Sequence, residues 1–226
     1  MINMSHYVGN ISSQDDRFRV LYCDHDLILN HLAESLVFAG FPMRASIPAA
    51  SVGLEVESTL NALKNRNLNT IDFKRAMKLG QAKGGGGHDC FLKGITVSAV
   101  FKAPQYFWQQ IKRYHFFDII SSQSTMHRIV SMDIQKNCTK DTDERIIKIV
   151  NEYIALFTAT HDQQYFQKII SNLPSGFMLS AGITTNYLQL KTIANQRGNH
   201  KLPEWSVNFM DFIYGLPYFK ILVGCE

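Results

Sequence analysis

A β-branched run that ends on a proline and turns at once into an aromatic helix constrains this chain most. In FLKGITVSAVF, residues 91–101, the β-branched residues predict a long strand, closed by Pro104. PQYFWQQIKRYH, 104–115, then predicts a helix with Pro104 at its start, where a missing N–H costs little. Further on, GFMLSAGITTN (176–186) reads as a strand or extended segment and NYLQLKTIANQR (186–197) as a helix.

Around these lies a mostly helical pattern. RVLYC, 19–23, is β-like. Residues 24–40 predict a helix with Asp24 as cap, Leu27, Ile28, Leu32, Leu36 and Val37 as its apolar positions, and Gly40 as its stop. FPMRASIPAASVG (41–53) reads as loop, and DFKRAMKLGQAK (72–83) as a polar helix leading into four glycines, 84–87. Asp141–Phe157 predicts a helix with Ile146, Ile147, Val150, Ile154 and Phe157 on one side. QQYFQKIISNLP predicts a shorter helix ended by Pro174, and PEWSVNFMDFIYG (203–215) a last one. With no internal repeat and no clean linker, 1–226 reads as one α+β domain, 1–17 being an irregular arm.

Composition narrows the function classes. A chain of 226 residues, 46% hydrophobic, can bury a sizeable core. The net charge of +4 comes from dispersed basic residues, which signals no nucleic-acid footprint but allows one anion pocket. The N-terminus is polar, and no apolar run is long enough to span a bilayer. A cytoplasmic protein with reduced thiols is the expectation.

Most motif readings fail on their own chemistry. The glycine run is followed by His88-Asp89, not by the G-K-[ST] that a phosphate loop needs. A flexible connection fits it better, one that can also serve as a hinge or lid. His-Asp pairs at His25, His88 and His161, with His31, raise a metal phosphohydrolase, but Asp is expected as a cap in such contexts, and His25 and His31 fall on different helix faces. No metal site is expected. Cys23, Cys90, Cys138 and Cys225 form no C-x-x-C pair, and buried or idle thiols are the default. The segment RYHFFDIISSQSTMHR, 113–128, is different. Arg, His and serine hydroxyls beside helix-start N–H groups suit phosphate. On local sequence alone, a serine-rich loop capping the next helix explains it equally well.

Two blocks decide between these readings, KAPQYFWQQIKRYHFFDIISSQSTMHR (102–128) and NLPSGFMLSAGITTNYLQLKTIANQRGNHKLPEW (172–205). Together they resemble the flavin-dependent thymidylate synthases, more closely the divergent branch found in phages and Gram-positive bacteria. In that family a strand ending in K-A-P-like residues precedes a Gln-bearing aromatic helix and the signature RHRxxSxNExSxR. Arg113 falls on the first signature Arg, Tyr114 replaces its His and His115 its second Arg. Ser121 and Ser122 take the Asn-Glu positions, Ser124 the signature Ser, and Met126 the place of the final Arg, with Arg128 two residues on. The upstream Arg that helps hold dUMP is Ile170 here, with Lys168 nearby.

The resemblance implies an α+β fold with a central, mainly antiparallel sheet flanked by helices. It implies an enzyme that moves a one-carbon unit from methylenetetrahydrofolate to C5 of dUMP or a related pyrimidine deoxynucleotide. FAD is the implied cofactor, NADPH the co-substrate reductant, and a homotetramer with inter-subunit sites the implied assembly. Arg113, Tyr114, His115, Asn186 and His200 stand at flavin-side positions. Gln110, Ser121, Ser122, Gln123, Ser124, Arg128 and Arg197 stand on the nucleotide side, with Ser124 and Arg197 nearest the chemistry. The changed signature residues leave a non-catalytic or altered-chemistry nucleotide- or flavin-binding protein as the alternative.

Overall fold

Four strands, β1 (Arg19–Cys23), β2 (Thr96–Pro104), β3 (Asp118–Ser122) and β4 (Met178–Asn186), make one antiparallel sheet in the order β1-β2-β4-β3. This is a computed structural model, and it describes residues 17–84 and 86–224. The N-terminal arm therefore lies outside the described residues except for Arg17, as does Cys225.

The register of β2 on β4 shows how sequence sets packing. Val97, Ala99 and Phe101 alternate onto the buried face, where they meet Thr185, Ile183 and Ala181. Large faces small at each of the last two pairs, Ala99 with Ile183 and Phe101 with Ala181. On β1 a bulge between Val20 and Tyr22 brings Val20 and Cys23 both inward. Burial, with Asp24 adding to it, pushes the Cys23 thiol up to about 12.

The helices are α1 (His25–Phe38), α2 (Ala49–Lys64), α3 (Ile71–Gly80), α4 (Gln105–Ile111), α5 (Thr125–Arg128), α6 (Glu144–Thr160), α7 (Gln163–Asn172), α8 (Tyr187–Arg197), α9 (Met210–Gly215) and α10 (Phe219–Val223). A wide π turn, Glu204–Phe209, runs directly into α9. The main core joins Phe18, Phe101, Phe107, Trp205, Phe209 and Phe212 edge to face and stacked. A smaller cluster of Ile129, Ile147, Val150, Ile169 and Phe177 lies under α6 and α7, and Leu179 packs against both. Asp24, Thr70, Asp143, Asp162, Ser124 and Asn186 each cap a helix by accepting a backbone N–H. His161 ends α6 at φ 55°, so two of the His-Asp pairs, His25-Asp26 and His161-Asp162, sit at helix ends.

Several boundaries differ from expectation. The strand expected from 91 begins at Thr96, because Cys90–Gly94 winds into a 3-10 turn that places Gly94 against Ser35. The helix expected over 104–115 stops at Ile111, with Pro104 as its cap. The loop expected over 41–53 gives way to α2 from Ala49, whose exposed Leu54 blurs any apolar stripe. The serine-rich segment is not loop throughout: β4 recruits 118–122 as an edge strand.

The glycine run is fixed at both flanks by one residue. Lys191 on α8 donates to Gly80 O (2.8 Å), Ala82 O (3.0 Å) and Asp89 Oδ2 (2.7 Å). Both ionic side chains are nearly buried, 10% and 6% exposed. Removing one partner strands the other charge in the interior. Lys191→Ala should lower unfolding stability by about 3–5 kcal/mol in denaturant titrations, with Lys191→Met/Asp89→Leu recovering much of the loss.

Candidate functional site

Helix α4 presents polar side chains on two sides. Gln110 in its last turn, and Tyr114 just past its end, reach towards α8. Gln105, Gln109 and Lys112 reach towards the β3–β4 ribbon. The helix between them is anchored by apolar and backbone contacts. Phe107 and Ile111 are fully buried, and the Trp108 indole donates to Ala103 O (3.0 Å) and Leu179 O (3.2 Å). Its first N–H groups are satisfied by Phe177 O and Ser175 O.

On the first side lies Arg197, in the last turn of α8. Its Nε donates to the Tyr114 hydroxyl at 2.9 Å, and Nη1 approaches Gln110 Oε1 at 3.5 Å. The guanidinium lies over the Trp205 ring, 4.8 Å from its centroid, and 5.8 Å from that of Tyr114. The Tyr114 hydroxyl in turn donates to Gln196 Oε1 at 3.1 Å. Among the described residues no carboxylate pairs with Arg197. A half-buried cation oriented by neutral groups, with donors left over, suits an incoming anion.

His200 closes the other edge of Trp205, its ring 6.2 Å away. Its Nδ1 accepts from Leu202 N at 3.2 Å, so the neutral ring carries its proton on Nε2. Burial first, and then the Arg197 charge, hold its pKa below the ordinary value.

On the second side, a cavity of about 220 Å³ is rimmed by Gln105, Gln109, Lys112 and Ser122 above Trp108 and Ile119. A further cavity of about 280 Å³ is lined by Asn186, Lys93, Phe116, Leu188, Gln189 and Thr192.

The structure thus brings Gln110, Tyr114, Arg197 and His200 together, and places Ser122 and Asn186 at separate cavities. Several expected groups have local duties. Ser124 Oγ accepts from His127 N at 3.3 Å, and Asn186 Oδ1 from Gln189 N at 2.9 Å. Gln123 extends the sheet, exchanging bonds of 2.9 and 2.8 Å with Ser180. Arg113, His115, Ser121 and Arg128 are exposed. Lys168 lies over the rings of Tyr153 and Tyr165. Among the described residues no three His, Cys, Asp or Glu side chains cluster to hold a metal ion, and no helix is long and apolar enough to cross a membrane. Trp205 and Lys112 escaped the sequence reading. The Trp in PEW beside an Arg-ended helix was the available signal for the first, and nothing local marked the second.

A flavin-dependent thymidylate synthase ThyX from Helicobacter pylori, complexed with FAD and dUMP, superposes with TM-score 0.54 over 92% of this chain and 97% of its own, at 9% identity. A second structure of that protein with FAD and dUMP gives TM-score 0.53 over 78% and 92%, at 11% identity. The chain has the ThyX fold. No family model and no curated protein sequence matches it. The shared fold covers nearly the whole ThyX chain, although few side chains are held in common.

The electrostatics of this cluster can be read at His200. Its lowered pKa favours the neutral ring, so the unfolded chain takes up the proton first as pH falls through about 6.5 and stability declines in that direction. NMR titration should place His200 below that value. Arg197→Gln should raise its midpoint only part of the way, because burial is the larger cause.

Proposed function

We propose that this chain is a flavin-dependent, thymidylate-synthase-like enzyme, a single α+β domain assembling as a homotetramer with inter-subunit sites. It transfers a one-carbon unit from methylenetetrahydrofolate to C5 of dUMP or a related pyrimidine deoxynucleotide, with NADPH as reductant. The observation that carries this reading is Arg197. It stands where the resemblance assigns a nucleotide-contacting arginine, and it is held over Trp205 by Tyr114 with no carboxylate partner among the described residues. The ThyX fold of a protein complexed with FAD and dUMP supports it.

The residues fit the ligands. Arg197 binds the anionic nucleotide, Gln110 and Tyr114 orient it, and the Trp205 face keeps water off one side of the guanidinium. His200 offers Nε2–H, and with Arg113, Tyr114, His115 and Asn186 it makes up the flavin side that the resemblance implies, Asn186 from a cavity of its own. Ser124 caps α5 through its oxygen and keeps its hydroxyl proton to donate. A bound reduced flavin supplies the transfer chemistry, while the side chains orient the reactants and stabilise charge.

Purified protein should take up FAD, show a flavin spectrum, and release the C5 proton of dUMP with methylenetetrahydrofolate and NADPH. Colourless protein with no FAD uptake and no release contradicts the reading. Arg197→Ala should weaken dUMP binding about 10- to 100-fold, the loss of a charged hydrogen bond. A second reading, a binding protein without turnover, draws on Ser121-Ser122 and the exposed Met126, which stand where the resemblance has Asn-Glu and Arg. It predicts that FAD and dUMP raise Tm while no C5 proton is released.

A further inference from the structure

The π turn at Glu204–Phe209 is an expensive piece of backbone. Within it Glu204 Oε2, Trp205 Nε1 and Asn208 Oδ1 are buried without a hydrogen-bond partner among the described residues. Orphaned polar atoms and π geometry both cost free energy, and both are enriched where a side chain must be aimed. Glu204 is 1% exposed. Its Oε1 accepts from the Tyr106 hydroxyl. Burial, and then that bond, drive the Tyr106 pKa well above its ordinary range, so the phenol stays protonated and donates.

Position explains what the pair accomplishes. Trp205 follows Glu204 directly. Its ring is stacked on Phe107 (4.4 Å between centroids, 28° between planes), with the Arg197 guanidinium 4.8 Å from it. Tyr106 and Phe107 are neighbours on α4, one turn before Gln110, and Tyr114 stands three residues past the end of that helix. The helix and the turn that follows it therefore grip both Arg197 and the ring beneath it. Stacking alone lets Trp205 slide over Phe107, whereas a directional bond one residue away fixes its register. An apolar pair would fill the same space at lower desolvation cost.

We propose that the Tyr106–Glu204 pair is a positioning device for Arg197, setting the first residues of the π turn and through them the Trp205 ring on which the guanidinium lies. The proposal rests on the reading of Arg197 as the nucleotide anchor, and its test separates the two. The chain has two tryptophans, Trp108 and Trp205, so 5-fluorotryptophan labelling gives two ¹⁹F resonances, assigned with Trp205→Phe. In Glu204→Gln and the milder Tyr106→Phe, the Trp205 resonance should shift or broaden while that of Trp108 holds. The dUMP Kd should rise about 10-fold, and Arg197→Ala/Tyr106→Phe should bind no worse than Arg197→Ala alone. A folded Tyr106→Phe protein with an unmoved Trp205 resonance overturns the proposal. So does a shifted resonance with unchanged dUMP affinity where Arg197→Ala does weaken binding. If Arg197→Ala binds dUMP as well as the wild type, the anchor reading falls, and the positioning role falls with it even if Trp205 moves.

Discussion

The stack of Phe107 on Trp205 is the contact on which the rest of the site depends. It locks α4 to the π turn, and the far side of the same indole carries Arg197. An arginine on an aromatic face keeps its charge while shedding part of its hydration, and Tyr114 fixes its fork by neutral hydrogen bonding. Without the stack, Arg197 would be a mobile surface cation. With it, the guanidinium is oriented before any ligand arrives, which lowers the ordering cost of binding.

The sheet places this arrangement. β2 delivers α4 through Pro104, and β4 delivers α8 through Asn186, so adjacent antiparallel strands feed the two helices that meet at Arg197. The same α4 turns Gln105, Gln109 and Lys112 towards β3, which is an edge strand with four of its five residues exposed. One short helix thus divides two polar regions.

Much of this was legible in the residues, for physical reasons that differ by element. The β-branched run of β2 and the cap at Asp24 are local signals, and local signals survive folding. β3 was hidden because an exposed edge strand has no buried face to write an alternation, and its pairing is imposed by β4. α2 was hidden by Gly53 and by Leu54 facing solvent. Arg197, Gln110, Tyr114 and His200 were reached through resemblance, and the structure brings them together. Trp205 and Glu204 were not reached, since a tryptophan in a helical run looks like ordinary core until the ring above it is seen. Ser124, Gln123 and Asn186 were named for ligands, and their oxygens turn out to cap helices and extend the sheet.

A crystal structure of the chain grown with FAD and dUMP tests most directly whether Arg197 is a preset anchor for a nucleotide. Nucleotide density is expected against the Arg197 guanidinium, with Trp205 and Tyr114 where they stand here. Nucleotide bound elsewhere, with Arg197 turned away from it, would contradict that role.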